Sequence, residues 1–408
     1  MLRLGAWVRV LFFCTVLILV PAAAQGAGGE TVDTDPLNRT PEVREAFQHF
    51  YSMDYDNALE RFERIHREHP GDPMATDYVL NATLFRELNR LDLLDTTFYA
   101  NDGFLTGKHT VVEDPAVRDR VRALADEVTD EANAELKADP NNADALFARG
   151  WSKAFVAIYD SLVERSFVAG LRSAMSARGD CDKVLQIDPH YVDAELVVGV
   201  YQYVVGSLPL GFKILVGVVG IRGSKGTGMA LLRDDGERGV VTQVEARTSM
   251  MLFLRREAKY QPAIVIAHQM AEDYPHNYLF SLEEANLEKD AGDGMVAAHT
   301  YQRLIETAQH SGYFPNAHME LAYFGLGDTL RGQKQYAAAV EAYRQGALQP
   351  TTSPELKRRC LLEAGKSYDL MHDHTQAVEQ YEAVLQAGSD TAQGDAARKY
   401  MKSAYAGK

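Results

Sequence analysis

The chain has 408 residues, of which 42 are Lys or Arg and 57 are Asp or Glu, so its formal net charge at pH 7 is −15. This acidic balance argues against general nucleic-acid binding, which depends on basic surfaces that neutralise phosphates. Hydrophobic residues make up 46% of the chain and charged residues 24%. Such a composition can build a sizeable core and is typical of a folded protein rather than a disordered one.

The first 24 residues have the pattern of a secretory signal peptide. Arg3 and Arg9 come first, an apolar run from Val10 to Val20 follows, and Pro21 and three alanines end the segment. This order of charge, apolar run and small residues predicts cleavage after Ala24 and export. We therefore expect the protein in the bacterial envelope, in the periplasm or associated with the outer membrane. An uncleaved anchor is the less favoured alternative, because a membrane span needs about 20 apolar residues.

The exported chain keeps two cysteines, Cys181 and Cys360. Each is expected on a helix of a different repeat, so we predict two separate buried thiols rather than a disulfide bridge. Residues 25–40, which precede the first repeat, are predicted to be a flexible segment.

From residue 41 onward the sequence has the spacing of a repeated helix pair of about 34 residues. Small residues lie where two helices approach closely, and aromatic residues fill the groove toward the next pair. The spacing predicts N-terminal repeats over residues 41–200. Two instances with the same intervals are Tyr55, Ala58 and Pro70, with Phe62 between them, and Tyr260, Ala263 and Pro275.

The repeat is clearest in the C-terminal part, residues 241–408. Weaker units end at Pro140 and Pro189. We predict six or seven helix pairs in one all-α, tetratricopeptide-type solenoid, an α-α superhelix, closed by a capping helix from about Thr391 to Tyr405. The two strongest units are Leu326-Gly327, Tyr336, Ala339 and Tyr343, and then, 38 positions after Tyr343, the unit that contains Ala364-Gly365, Ala377 and Tyr381.

Two segments interrupt this period. Residues 95–115 have no helical pattern and carry Gly, Asn and Asp, so they are predicted to form a long loop before a helix that begins near Ala116. Residues 201–240 read as an apolar helical hairpin with a Leu-Pro-Leu-Gly corner, followed by a Gly-rich turn over residues 220–228.

The second interruption carries a family resemblance. Its segments Gly206 to Pro209, Phe212 to Leu215 and Val219 to Gly226 resemble the central signature of the tetratricopeptide repeat 39 family, which includes fungal relatives tied to lipid droplets and inclusion clearance. The resemblance implies a non-enzymatic protein. Along most of its length the chain is also similar to exported tetratricopeptide proteins of environmental bacteria, which have no assigned role.

The Gly-rich turn does not have the spacing of a phosphate-binding loop. A P-loop places its Lys directly before Ser or Thr and follows a strand, whereas here Lys225 precedes Gly226. A weaker anion site at the N-terminus of the helix near Thr227 stays open, because free backbone N–H groups there favour negative charge.

No other motif predicts catalysis, a metal or a cofactor. His66 and His69 lie on one helix, and His372 and His374 lie in a turn, but neither pair belongs to a motif with three converging ligands. Ser224 lacks the Gly-X-Ser-X-Gly context of a nucleophile. We therefore predict a protein without enzymatic activity and without a bound cofactor or metal.

The predicted functional surface is the concave groove of the solenoid, which in such arrays receives peptides. Arg and Tyr are the residue types that most often anchor interfaces, and a basic groove would favour an acidic or C-terminal-carboxylate partner. For single residues the alternative is structural, with Tyr201 in the core and Arg255 paired with Glu257 or Glu245. The candidates on inner helices are Arg149, Lys153, Tyr201, Tyr203, Arg247, Arg255 and Arg256.

The apolar hairpin, residues 204–221, allows a second function. If it is buried, as we favour, it is a plug or hinge that replaces a repeat. If it is exposed, it forms a patch that contacts a membrane surface or binds lipid. The residues of that patch are Phe212, Ile214, Leu215 and Val218.

Overall fold

The computed structural model describes residues 32–100, 112–208, 223–315 and 317–407. Within these ranges the chain forms 17 α-helices and two short 3-10 helices, and it forms no strand. The predicted all-α solenoid of helix pairs is confirmed for the described chain. The signal peptide predicted over residues 1–24 lies outside the described residues.

Successive helices pack as pairs, and the described residues contain eight of them rather than the six or seven expected, followed by one closing helix. The pairs are α1 (Pro41–Tyr51) with α2 (Tyr55–Glu68), α3 (Pro73–Arg90) with α4 (Pro115–Ala138), α5 (Ala143–Leu162) with α6 (Phe167–Ile187), α7 (Ala194–Ser207) with α8 (Lys225–Arg238), α9 (Gln243–Arg256) with α10 (Tyr260–Asp273), α11 (Tyr278–Asp290) with α12 (Gly294–Ala308), α13 (Met319–Gly332) with α14 (Tyr336–Leu348), and α15 (Pro354–Leu370) with α16 (His374–Gly388), and the closing helix is α17 (Ala392–Lys402).

Several helices begin with a capping residue followed by proline. The Thr40 side chain accepts a hydrogen bond from the N–H of Val43 at the start of α1, and Asp72 and Ser353 cap α3 and α15 in the same way. These caps satisfy backbone N–H groups that have no partner within the helix, and proline at the first position loses no hydrogen bond.

The small and aromatic residues of the C-terminal repeats pack directly against each other. A Cβ atom at Gly327 would lie 2.6 Å from the ring of Tyr343, and one at Gly365 would lie 2.5 Å from the ring of Tyr381. Both tyrosines are fully buried. The glycines therefore let each tyrosine lie flat against the preceding helix, which explains the spacing seen in the sequence.

The first helices of the chain also contact its middle. The hydroxyl of Tyr51 donates to the Glu245 carboxylate at 2.9 Å, and Nδ2 of Asn277 donates to the carbonyl oxygen of Tyr51 at 2.8 Å. The Arg256 guanidinium donates to the carbonyl oxygen of Tyr99 at 2.7 Å. The array of repeats thus turns back on itself, so that the end of α1 and the segment after α3 lie against α9 and the start of α11.

The largest apolar core contains residues between Leu37 and Ala364, and three smaller clusters lie around α9 to α11, around α7 to α9, and around the last helix pair with α17. Cys181 and Cys360 are buried and not bonded to each other, which confirms the prediction of two separate thiols. Among the helices described, none is both long enough and apolar enough to cross a membrane.

The segment 201–240 contributes a helix pair of its own, since α7 and α8 pack against each other. A Cβ atom at Gly228 would lie 2.6 Å from the carbonyl oxygen of Gly199, so glycine is needed for this close approach. The hydroxyl of Ser224 accepts from the N–H of Thr227 and caps α8.

The described residues do not test two of the predicted segments. Residues 209–222, which include Phe212, Ile214, Leu215 and Val218, lie outside them, so the position of the apolar hairpin stays a prediction. Of the predicted loop 95–115, residues Thr96–Tyr99 form a 3-10 helix and α4 begins at Pro115, while residues 101–111 also lie outside the described chain.

Candidate functional site

The turn of the array surrounds part of a cavity of about 610 Å³ that is partly open to solvent. Its walls come mainly from α5, α6, α7, α9 and α11, with contributions from the end of α1 and the segment after α3. Most of these helices are the first of their pairs, which is the concave side of a helix-pair solenoid. Aromatic and aliphatic side chains dominate these walls, with Trp151 and Phe155 from α5, Val200 and Tyr203 from α7, and Leu252 from α9 among them.

Stacked and tilted aromatic rings fix part of the wall. The rings of Tyr203 and Phe253 are 3.7 Å apart and nearly parallel, and those of Trp151 and Phe155 are 4.8 Å apart. The Tyr203 hydroxyl donates to Glu257 at 3.0 Å. Burial, reinforced by that carboxylate, raises the pKa of Tyr203 to about 12. This side of the cavity is therefore a neutral surface of packed rings.

Three acidic residues line the cavity, Asp95, Glu245 and Glu283, and Glu245 on α9 contacts the end of α1. Its two carboxylate oxygens lie 3.0 and 2.9 Å from the hydroxyl of Tyr51. Burial raises the pKa of Glu245 to about 7 and that of Tyr51 well above its usual range. Among the described residues, no cationic side chain contributes to this shift. Near neutral pH the carboxyl group is partly protonated, so it presents both a hydrogen-bond donor and an acceptor to the cavity.

Two of the predicted groove residues tie α5 to α6. Arg149 donates to both oxygens of Asp180, at 3.0 and 2.6 Å, and Lys153 donates to the same carboxylate at 2.6 Å. Burial of Asp180 opposes ionisation, but the bonds from the two cations outweigh it and lower the pKa of Asp180. Arg149 and Lys153 are thus engaged within a helix pair.

Arg247 and Arg255, on α9, are also engaged within the protein. Arg247 donates to the carbonyl oxygen of Gly236 at 2.8 Å. Arg255 is 4% exposed and pairs with Glu283 at 3.3 Å and with Asp290 at 2.6 Å. It pairs with α11 rather than with Glu257 or Glu245, the partners that the sequence suggested.

Three of the predicted groove residues line the cavity: Tyr201, Tyr203 and Arg256. Tyr201 is buried, as expected from the alternative that it belongs to the core. The guanidinium carbon of Arg178 lies 4.8 Å from the centre of the Tyr201 ring. Arg256, which bonds to the backbone of Tyr99, lies at the same wall.

Sequence reasoning missed Trp151 and Glu245, although each lies two positions from a residue that it selected, Arg149 and Arg247. On a helix, residues two apart point in different directions. The apolar residues on the inner faces of α5 and α9 would have pointed to these positions, whereas the sequence analysis followed the charged residues of the same helices. The contact between Tyr51 and Glu245 joins helices that are far apart in sequence, so no local sequence pattern predicts it.

The described chain is therefore a tetratricopeptide-type solenoid of helix pairs with a partly open, mostly apolar cavity on its concave side. It is similar to the crystal structure of a tetratricopeptide repeat protein from Parabacteroides merdae, with 12% identity over 79% of this chain and 97% of that one and a TM-score of 0.35. It is also similar to the crystal structure of the yeast Tom70, with 10% identity over 88% of this chain and 87% of that one and a TM-score of 0.37. These likenesses are too distant to bear on function. No protein-family model and no curated protein matches the chain.

Proposed function

We propose that this protein is a non-enzymatic binding protein that receives an apolar segment of a protein partner inside its solenoid. The observation that carries the proposal is the cavity of about 610 Å³ on the concave side of the helix pairs. Its size is within the range of about 300–1,000 Å³ that is usual for binding pockets. It is large enough for the anchoring side chains of one peptide segment.

The chemistry of the walls favours an apolar partner over the acidic one expected from the sequence. Arg149, Lys153, Arg247 and Arg255 bind groups of the protein itself. Among the described residues, the charged side chains at the cavity wall are those of Asp95, Glu245, Glu283 and Arg256. An acidic segment would meet three acidic residues and one cation that already binds the backbone of Tyr99, and this excess of like charge is costly in an apolar site.

The hydroxyl groups on the walls favour a peptide over a simple hydrocarbon chain. Ser161, Thr248 and Ser249 line the cavity among apolar side chains. The backbone of a bound peptide needs hydrogen-bond partners when it leaves water, and such hydroxyl groups can donate or accept. The pattern of residues 1–24 supports action in the bacterial envelope after export.

A site-specific photocrosslinking experiment tests the proposal. Leu252 on the cavity wall is replaced by an aliphatic amino acid that carries a diazirine, and Val265 on α10, which is 55% exposed, is replaced in a control variant. After illumination in envelope extract, we expect a polypeptide adduct at position 252 that maps to an apolar segment of the partner. We expect no such adduct at position 265.

A cavity-filling variant sharpens the test. Ala154 lines the cavity, so Ala154→Trp should abolish the adduct at position 252 while the helical content measured by circular dichroism is unchanged. Equal adducts at positions 252 and 265, or an adduct that persists in Ala154→Trp, would contradict the proposal.

A lipid is the second candidate occupant, because the walls of the cavity are mostly apolar. If a lipid occupies the cavity, the same experiment should give a lipid adduct at position 252, identified by mass spectrometry. The exposed-hairpin hypothesis is tested separately. It predicts that the protein floats with liposomes and that Phe212→Asp abolishes flotation.

A further inference from the structure

A second group of polar residues lies away from the cavity, where the first part of the chain meets α13. Asp92 lies in the turn after α3, His318 immediately precedes α13, and Glu320 lies in its first turn. The three side chains come together only because the array of repeats turns back on itself.

The three ligand atoms converge. Nδ1 of His318 lies 2.6 Å from Oδ1 of Asp92 and 3.1 Å from Oε1 of Glu320, and all three atoms lie within 4.8 Å of one another. Glu320 is fully buried and His318 is 9% exposed. Such groups are rarely buried together unless a partner balances their charge.

One nitrogen, Nδ1 of His318, contacts both carboxylates. The contact from His318 to Glu320 has hydrogen-bond geometry. Oδ1 of Asp92 is buried and receives no hydrogen bond among the described residues, although it is closer to the same nitrogen. A single N–H bond cannot point straight at both oxygens, so a proton on this nitrogen is shared between the two carboxylates.

The distances fit ligands of one ion. Two ligand atoms that are each about 2.1 Å from a metal lie about 3 Å apart at right angles and about 3.4 Å apart at tetrahedral angles. The separation of 3.1 Å is within this range, and that of 2.6 Å would have to open by a few tenths of an ångström when an ion binds. The remaining oxygen of Glu320 accepts a hydrogen bond from the hydroxyl of Thr351 at 2.6 Å. Such an outer contact orients a ligating carboxylate.

We propose that Asp92, His318 and Glu320 bind one divalent transition-metal ion, which ties the turn after α3 to the N-terminus of α13. One imidazole and two carboxylates suit zinc or manganese, and water would complete the coordination. The ion would bridge two parts of the chain that are far apart in sequence, and it would stabilise the closed form of the array. The site is separate from the cavity, so it does not depend on the proposed function.

Metal titration of the full chain tests this site. Protein stripped with a chelator is titrated with Co²⁺, followed by visible absorption, and with Zn²⁺, followed by calorimetry and elemental analysis. We expect one ion per chain and a rise in the melting temperature on binding. Asp92→Asn and His318→Gln should each weaken binding at least about tenfold, and Thr351→Val should weaken it by a smaller factor.

His374→Gln is the matched control. Nδ1 of His374 also contacts a carboxylate, Oδ1 of Asp369 at 2.7 Å, but no second carboxylate converges on it in the described structure. This variant should bind the ion as the unaltered protein does. Circular dichroism of each variant separates loss of the site from loss of the fold.

A proton is the competing occupant of the site. Burial of His318 opposes protonation, but the two carboxylates raise its pKa to about 9. The proposal is overturned if the stripped protein binds neither ion, if Asp92→Asn binds as tightly as the unaltered chain, or if NMR shows His318 as an imidazolium at pH 7 with one equivalent of Zn²⁺ present.

Discussion

The helices from α1 to α11 and those from α13 to α17 are built from the same kind of pair, but they pack in different ways. In the second region the two helices of a pair meet through contacts such as that of Gly327 with the ring of Tyr343, and tyrosines fill the space between the helices. In the first region the pairs also meet across the concave side, at Tyr51 and Glu245, and a cavity is left between them.

The difference shows that the same kind of helix pair can form either a filled core or a cavity, depending on how the pairs contact one another. A pair in a solenoid contacts only its neighbours in sequence, and in the second region Tyr343 and Tyr381 fill the space between those helices. The first region contains longer helices, with 24 residues in α4, 20 in α5 and 21 in α6. It also buries charged groups such as Arg255 and Glu283, which hold α9 against α11. We infer that polar pairs, in addition to apolar packing, maintain the closed region.

The largest expected effect follows from this inference. Arg255→Ala removes the cation from a pair in which both side chains are almost completely buried, and Glu283 is left without compensation. We expect the free energy of unfolding to fall by about 3–5 kcal/mol, measured by urea denaturation. Arg303, half exposed and 3.4 Å from Glu284, provides the control, since Arg303→Ala should cost less than about 1 kcal/mol.

The double variant Arg255→Ala/Glu283→Gln tests the cause. If an uncompensated carboxylate is responsible, neutralising Glu283 should restore part of the lost stability. A double variant that is no more stable than Arg255→Ala would show that the loss comes from packing, and the polar pair would then not explain the closed region.

The filled region is tested at Gly327. In Gly327→Ala the new Cβ atom would lie 2.6 Å from the buried ring of Tyr343, so the helices must separate, and we expect a loss of about 1–3 kcal/mol in the free energy of unfolding. Gly332 lies on the same helix, and no atom lies within 4 Å of the point that a Cβ atom there would occupy. Gly332→Ala should be neutral or stabilising by up to about 1 kcal/mol. Equal effects of the two changes would refute the close-packing explanation.

The sequence predicted the filled region better than the closed one. The spacing of Gly327, Tyr343, Gly365 and Tyr381 is local, because each contact joins adjacent helices, and such contacts repeat along the chain. The path of the array depends on small rotations that add up over many pairs. No local sequence pattern predicts the total rotation over many pairs. The contact of Tyr51 with Glu245, which depends on that rotation, was therefore not expected.

The same reasoning explains the outcome for the predicted groove residues. Helix periodicity placed Tyr201, Tyr203 and Arg256 on the inner side, and they do line the cavity. It could not show that Asp180, on the partner helix, lies opposite Arg149 and Lys153. The pairing of side chains on neighbouring helices depends on their crossing and register, which one sequence does not specify.

The buried carboxyl of Glu245 gives the closed region a pH dependence. Burial raises its pKa from an ordinary value of 4.5 to about 7 in the folded protein, so between these values the folded chain binds more protons than the unfolded chain. The free energy of unfolding therefore falls as pH rises through this window, and the stabilisation by the protonated group is lost above pH 7. Compared with Glu245→Gln, which lacks this group, the unaltered protein should lose about 3 kcal/mol between pH 4 and pH 8.

Denaturation of both forms across this pH range measures the difference. Glu341→Gln on α14, where the side chain is 58% exposed, controls for the loss of one surface charge. A difference between the unaltered protein and Glu245→Gln that is constant with pH would show that Glu245 is not buried as described, and the wall of the cavity around Tyr51 would need revision.

The smallest expected effect compares the two regions directly. Ala154 faces the cavity, whereas Ala364 is 1% exposed inside the filled region. Phenylalanine at position 154 enters existing space, so Ala154→Phe should change the free energy of unfolding by less than about 1 kcal/mol, while Ala364→Phe should lower it by about 1–3 kcal/mol through overpacking. Urea denaturation of the two variants measures the contrast. If Ala154→Phe is as damaging as Ala364→Phe, the space inside α1 to α11 is already filled, and the distinction between the two regions fails.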